Sequence, residues 1–516
     1  MTGGTQDEVL AFLSDPALHG GIVPRRIDTH GSVVFLAGER AYKLKRAVAF
    51  SYMDFSTVGR RRDMCRAELA ANRRTAAALY LGVAAIVRRG GALALVPEAA
   101  VGADEALDWV VEMRRFPAGA EFDALAARGA LDLPLVRRLA GVVARFHGAQ
   151  APEPGWGGGA AGLAAVVAEN RRECAAMPDL LDPRMATAAD QACAASLERV
   201  AALLDRRARD GAVRHCHGDL HLGNVCLFEG EPVPFDAIEF NPAIACVDTL
   251  FDLAFLLMDL ELRISREHAN AALNAYLELR PEDAGLAALP LMLALRAWIR
   301  AHTRAVASRA QTDAARRGAM EADARRHLVA ITAFLAPPTP RLIAVGGVSG
   351  TGKSTLARGL APGLGAMAPG AVILRSDAIR KEFAGVDPST PLSPDQYGVA
   401  ATARVYAALM ARAAAILHAG YPVVLDAVFG RPEERAAAAA VAAAAGCRFD
   451  GMWLEAGRDV AATRIAGRRG DASDATVAVL DIQLARDPGA LDDWHRIDAR
   501  GEPSQVLARA RIAMSR

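Results

Sequence analysis

The chain is poor in aromatic residues, almost without net charge, and short of anything that would make a disulfide framework. Phe, Trp and Tyr make up 5% of its 516 residues, which leaves little for a platform on which bases could stack. The formal net charge is +1, so no global field recruits a polyanion, although a local basic groove stays open to it. Seven cysteines are scattered with no C-x-x-C pair. That pattern argues for free thiols in a reducing compartment and against disulfide scaffolds or zinc sites. The N-terminal stretch MTGGTQDEVLAFLSDP has neither a basic leader nor a long apolar core, so a signal peptide is not expected. The apolar run Leu250 to Leu262 is interrupted by three acidic residues and is too short and too charged to cross a bilayer. These absences make a cytoplasmic chain with no membrane partner the expectation. Nothing in the sequence speaks to oligomeric state.

What is present is a globular composition, 52% hydrophobic and 23% charged, over a length that calls for two or three domains. Residues 32–45 read as a β-hairpin turning at Gly-Glu-Arg, followed by a helix over 57–80 and strands over 84–98 and 107–113. Helices dominate from Leu131, broken by the Gly- and Pro-rich segment 152–162. The segment Ala336 to Arg341 carries three prolines that stop the preceding helix. Beyond it, LIAVGG, VILRSD and PVVLDA are apolar runs without alternation, separated by helical stretches, the pattern of a parallel sheet covered on both faces. The expected domains are therefore 1–335, with a small lobe of about 1–113 and a large lobe of about 114–335, a linker at 336–341, and an α/β domain at 342–516.

Gly347 to Ser354 reads GVSGTGKS, a complete G-x4-G-K-S loop. A glycine-rich turn between strand and helix points the backbone N–H groups of Gly347, Val348, Ser349, Gly350, Thr351 and Gly352 into one concavity that can hold nucleotide phosphates. Lys353 would reach the β- and γ-phosphates, Ser354 would ligate Mg²⁺, and Thr355 follows in the same helix start. Asp377, at the end of VILRSD, and Asp426, at the end of VVLDA, border the crevice where such sheets bind ligands. Either is a candidate to support the metal or to take a proton from an attacking hydroxyl; for Asp377, helix capping is the alternative. Arg464, Arg468 and Arg469 are candidates to close over a transferring phosphate.

A second signature stands upstream. HGDLHLGN (His217 to Asn224) is followed by FDAIEF (Phe235 to Phe240). Asp219 can orient and deprotonate an acceptor hydroxyl. Asn224, five residues on, reproduces the D-x4-N spacing of kinase catalytic loops and is a candidate Mg²⁺ ligand. Asp236, twelve residues after Asn224, would be the principal metal ligand, with Glu239 a further candidate. His217 reads as a structural hydrogen-bonder. Lys43 and Lys45 share one face of the predicted strand, so either could reach ATP; Lys43 is preferred, with Glu68 as its ion-pair partner. Glu112 and Met113 would form the hinge that reads adenine.

Two resemblances rest on these residues. Residues 341–516 resemble the small P-loop kinases, including the gluconate kinase-like, chloramphenicol phosphotransferase-like, zeta-toxin-like and polynucleotide kinase-like proteins, through GVSGTGKST, LRSDAIRK, VVLDAVF and the later arginine segment. That resemblance implies Asp377 as base, Arg380 on the substrate side, and Arg464 and Arg468 as lid arginines. Residues from about 25 to 335 resemble the aminoglycoside phosphotransferase-like kinases, implying an α+β protein-kinase-like fold. There is no G-x-G-x-x-G loop, only Gly31, and the second acid of the metal segment lies three residues beyond Asp236. The tandem order, with YKLKRAVAFSYMDFST, LYLGVA and FLLMDLEL, resembles a bacterial group described as bifunctional. It implies two ATP- and Mg²⁺-dependent sites transferring phosphoryl groups to small-molecule hydroxyls, sugar- or aminoglycoside-like. Near-zero charge argues against nucleic acid as partner. A nucleotide or polynucleotide end kinase, or a regulatory half that only binds ATP, are the alternatives.

Overall fold

The computed structural model describes residues 3–50, 53–102, 105–155, 158–387, 390–467 and 473–515. By compactness the chain divides into two units: Met1–Gly162 with Leu204–Asp259, and Leu163–Leu203 with Leu260–Arg516. Helices that precede the proline segment thus group with the phosphate-loop sheet.

The first unit is built on a six-stranded antiparallel sheet in the spatial order Arg25–Asp28, Ser32–Ala37, Arg40–Lys45, Ala106–Arg114, Tyr80–Arg89, Ala92–Pro97. Its period-2 alternation feeds two cores. One face packs Val33, Phe35, Leu44, Ile86 and Val110 against Val9 and Leu13 of the helix Gly3–Ser14. The other packs Tyr80, Ala85, Trp109 and Val111 with Cys65 and Ala76 of the helix Val58–Ala76. Each large apolar side chain among these contributes roughly 1.5–3 kcal/mol on burial. The hairpin at 32–45 forms as expected. The single strand expected over 84–98 is instead two strands turning at Gly90 and Gly91, both at positive φ, where only glycine turns without steric cost. The preceding helix stops at Ala76, four residues short of expectation, because Tyr80 is drawn into the sheet opposite Met113.

The second unit contains a five-stranded, all-parallel sheet in the order Val372–Arg375, Val423–Asp426, Arg341–Gly346, Arg448–Glu455, Trp494–Asp498. Its first four strands are buried almost throughout, as the unalternating apolar runs require. The strand expected to run through Asp377 ends at Arg375, and Ser376–Phe383 is a helix. The chain is therefore a protein-kinase-like α+β fold followed by a P-loop α/β fold. Among the described residues two helices, Asp283–Ala310 and Val399–His418, have the length and apolarity of membrane spans; 72% of the apolar window is buried in the first and 22% in the second, and the second packs on strands of the parallel sheet.

Two candidate phosphate sites

In the first unit the segment 216–224 carries few regular backbone bonds of its own, so its N–H groups need other acceptors. The buried helix Thr249–Arg263 supplies them. Asp252 accepts from the N–H groups of His217 (3.2 Å) and Gly218 (2.8 Å) and meets His147 Nε2 at 3.1 Å. Asp259, two turns on, accepts from Leu222 N–H at 3.0 Å. The fully buried His217 donates from Nε2 to the Phe235 carbonyl at 2.9 Å, and burial pushes its pKa down.

This scaffold presents Asp219, whose backbone carbonyl and Oδ2 both accept from Asn224 Nδ2 at 3.0 Å; His221 lies 3.4 Å from the same carboxylate. The two-stranded hairpin Val225–Phe228 and Glu231–Pro234 then folds the chain back, so that Phe235 N–H bonds the Asn224 carbonyl at 2.9 Å. Asp236 therefore emerges beside Asn224. Its φ is +61°, a conformation costly for a non-glycine residue and typical of functional turns. Tyr80 Oη accepts from Asp236 N–H (3.3 Å) and Asn72 Oδ1 from Ala237 N–H (2.9 Å).

The two lysines that the strand places on one face both reach Glu68. Lys43 Nζ lies 2.8 Å from Glu68 Oε1 and 2.5 Å from Asp236 Oδ1. Lys45 Nζ lies 2.7 Å from Glu68 Oε2 and 2.5 Å from Glu239 Oε1. Only Lys43 has an exposed fraction of any size, 14% against 1% for Lys45. Burial pushes the Glu68 carboxyl up, but the two lysines outweigh it and hold the pKa at about 2. Glu239 is pushed up, with burial outweighing Lys45. Glu239 is thus the partner of a buried lysine. Glu112 sits within the sheet with Arg40 at 3.5 Å, and Met113 packs on the core around Tyr80 and Val111. Asp236 and Asn224, a carboxylate and an amide whose nitrogen is turned to Asp219, offer oxygens suited to a hard divalent cation.

In the second unit the strand Arg341–Gly346 runs through the loop 347–352 into the helix Lys353–Leu360. Gly347 has φ +128°, and a Cβ there would stand 2.6 Å from the Leu454 carbonyl; one on Gly350 would collide with the Ala461 carbonyl. Only glycine permits this loop. Lys353 Nζ donates to the Val348 carbonyl at 3.1 Å, as does Thr351 Oγ1 at 2.8 Å. Ser354 Oγ bonds Asp426 Oδ2 at 2.6 Å, a hydroxyl and carboxylate pair again suited to Mg²⁺. Ser349 N–H, one of the donors expected to meet phosphate, is taken by Gln483 Oε1 at 2.7 Å.

Asp377 lies in the first turn of its helix and faces Asp426, Lys353 and Ser473; burial and then the Asp426 charge push its carboxyl up. A raised carboxylate facing the loop suits a general base. Arg464 donates to the carbonyls of Thr351 (3.3 Å), Ala499 (3.0 Å) and Gly501 (3.3 Å), bracing the loop's rim. Arg468 and Arg469 lie outside the described residues. Arg380 donates to the Gln396 carbonyl at 2.5 Å and stacks on Tyr397. Thr355 is exposed and, with residues 348–354, lines a cleft of about 1810 Å³ that also takes in Asp377, Arg380, Tyr397, Tyr406 and Glu434.

Several residues of these sites carry no motif. Asp252 and Asp259 had a signal, since two acids seven apart within the apolar run of one helix demand buried partners. Asn72, Arg375, Gln483 and Asp474 had none. Asp474 ties the segment after the undescribed residues to Lys381 (2.6 Å), Tyr397 Oη (2.7 Å) and Leu392 N–H (2.9 Å).

Residues 342–487 match the family described as AAA domain. The uncharacterized protein Rv2004c of Mycobacterium tuberculosis is 32% identical over 508 residues, covering 94% of each chain. Among solved structures, a sugar kinase from Janibacter sp. is 23% identical over 34% of this chain and 95% of its own, with a TM-score of 0.26. A choline/ethanolamine kinase family protein from Mesorhizobium loti is 17% identical over 63% of this chain and 99% of its own, with a TM-score of 0.34. The chain belongs to the family of the M. tuberculosis protein, and in it an aminoglycoside phosphotransferase-like half precedes a P-loop ATP-binding half.

Proposed function

We propose that the chain is an enzyme with two ATP- and Mg²⁺-dependent phosphotransferase sites, each acting on an alcohol group of a small molecule. The observation that carries this reading is the Ser354–Asp426 pair at 2.6 Å beneath the phosphate loop, with the raised carboxyl of Asp377 facing it. The first unit supports a parallel reading through Lys43, Asp236, Asn224 and Asp219.

ATP would supply the transferable γ-phosphoryl group and Mg²⁺ would screen the phosphate charge at each site. Asp236 with Asn224, and Ser354 with Asp426, would hold the metal. In the second unit Lys353 turns from the Val348 carbonyl toward the phosphates, and the loop N–H groups align them. Asp377 accepts the proton of the acceptor hydroxyl while that oxygen forms its bond to the γ-phosphorus and the bond to the bridging oxygen breaks. In the first unit Asp219 plays the same part and Lys43 neutralises phosphate charge while Glu68 holds it in place.

A sugar- or aminoglycoside-like acceptor is favoured over a polyanion by the net charge of +1, and the cleft with Tyr397, Tyr406 and Arg380 offers room for one. Seven cysteines with none in a disulfide fit a reducing, cytoplasmic setting. The test is ATP turnover by wild type, Asp219→Ala and Lys353→Ala across sugars, aminoglycosides, nucleosides and oligonucleotides. Acceptor-stimulated turnover lost in one variant and kept in the other is expected; loss of both together would refute independent sites.

A further inference from the structure

Arg375 ends the edge strand of the parallel sheet and is almost completely buried. Its Nε lies 3.3 Å from Asp426 Oδ2, and its Nη2 lies 3.3 Å from Ser354 Oγ. These are the two oxygens that would hold Mg²⁺ in the proposed P-loop site. On its other side, Nη1 lies 3.5 Å from Glu278 Oε1. A guanidinium is charged at every working pH, so it and a divalent cation cannot share that oxygen pair without strong repulsion.

Glu278 is not loosely placed. It belongs to the helix Arg266–Leu279, which is fastened along the sheet edge by two buried asparagines one turn apart. Asn274 Oδ1 accepts from Ile373 N–H at 2.7 Å, and Asn270 Nδ2 donates to the Ala371 carbonyl at 2.9 Å. These bonds hold the helix two and four residues before Arg375 in the chain, and Glu278 lies one turn beyond Asn274. The exposed edge of a parallel sheet is thereby satisfied, and a carboxylate is delivered to a fixed position beside the metal-side arginine.

We propose that Arg375 and Glu278 form a positioning pair that sets the Mg²⁺ affinity of the P-loop site. Without metal the guanidinium neutralises Asp426 and holds the Ser354 hydroxyl. When Mg²⁺ enters, Arg375 shifts its contacts to Glu278, which keeps its charge compensated away from the metal. This rests on the P-loop half binding Mg²⁺ with nucleotide. The two side chains then act on metal affinity with opposite signs, and Glu278 acts only through Arg375.

The experiment titrates Mg²⁺ against binding of a fluorescent ATP analogue by the full chain. An Asp236→Ala background leaves the P-loop as the nucleotide site. Removing the competing cation in Arg375→Met is expected to lower the Mg²⁺ concentration required by about tenfold. Glu278→Gln, which releases Arg375 onto Asp426, is expected to raise it several-fold. The double variant is expected to match Arg375→Met. Shifts of the same sign, additive effects in the double variant, or an unchanged requirement in Glu278→Gln would overturn the proposal. Should Arg375→Met not fold, the partly exposed Glu278→Gln decides alone. A parent protein that binds no nucleotide at any Mg²⁺ concentration would refute the P-loop reading itself.

Discussion

Asp252 and Asp259 project from the same buried helix and between them accept three backbone N–H groups of the segment 217–222. The position of Asp219 is therefore set by two carboxylates on a separate helix. Asp252→Ala would remove the acceptor of two backbone donors and the carboxylate beside a buried histidine. A loss of about 3 kcal/mol or more is expected, seen as a lower urea midpoint of the first unit. Nucleotide binding at the phosphate loop should survive; an unchanged midpoint would show that the loop holds itself.

The two lysines on Glu68 should separate in their effects. Lys43→Met leaves Glu68 to Lys45 and the part-exposed Asp236 to solvent, so it is expected to destabilise less than Lys45→Met and to cost turnover in the first unit by about a hundredfold or more, since it removes the cation proposed to face the phosphates. Lys45→Met leaves Glu68 and Glu239 short of a buried partner and is expected to destabilise by about 3–5 kcal/mol. Paired denaturation and kinetic measurements distinguish them. Equal stability losses in both variants would remove the distinction.

Acid stability follows from Glu68. Its folded pKa of about 2 lies below the ordinary 4.5, so its contribution is complete above the unfolded value. That contribution is lost as pH falls from about 4.5 toward 2. The raised Glu239 works the other way, binding a proton in the folded state above the unfolded pKa. Glu68→Gln should flatten the stability slope between those values in a pH series of urea melts; an unaltered slope would place acid sensitivity elsewhere.

Asp377 makes a prediction for activity. Burial and the neighbouring Asp426 push its carboxyl up, so the acid limb of kcat/KM at the P-loop site should fall above the usual Asp value of about 3.9. A limb at or below that value would count against Asp377 as the base.

Gln483 Oε1 accepts from the Ser349 N–H, a donor proposed to meet phosphate. Gln483→Ala removes the competitor, and tighter nucleotide binding by a factor of about five is expected, the equivalent of about 1 kcal/mol. Weaker binding by calorimetry would instead make Gln483 a nucleotide contact.

Much of the fold and of both sites is legible in the linear chain. The phosphate loop is readable because its chemistry needs particular residues at adjacent positions, glycines for the backbone and Lys-Ser for the phosphates and metal. HGDLHLGN and the aspartate twelve residues on are readable for the same reason. The parallel sheet shows in unalternating apolar runs, and the hairpin at 32–45 in its alternation. The break at Gly90-Gly91 is a signal of the same local kind that a long apolar stretch obscures.

What tertiary structure alone decided are relations between residues far apart in the chain. Lys43 and Lys45 are equivalent by strand periodicity; they differ only because Asp236 stands beside one and Glu239 beside the other. Glu239 reads as a metal candidate until a buried lysine is found on it. Arg375 is one arginine among many until Ser354, Asp426 and Glu278 converge on it. Local sequence determines which groups a segment can offer and which backbone it can adopt. Burial and electrostatic partnership depend on packing between residues distant in the chain, and only the folded molecule assigns them.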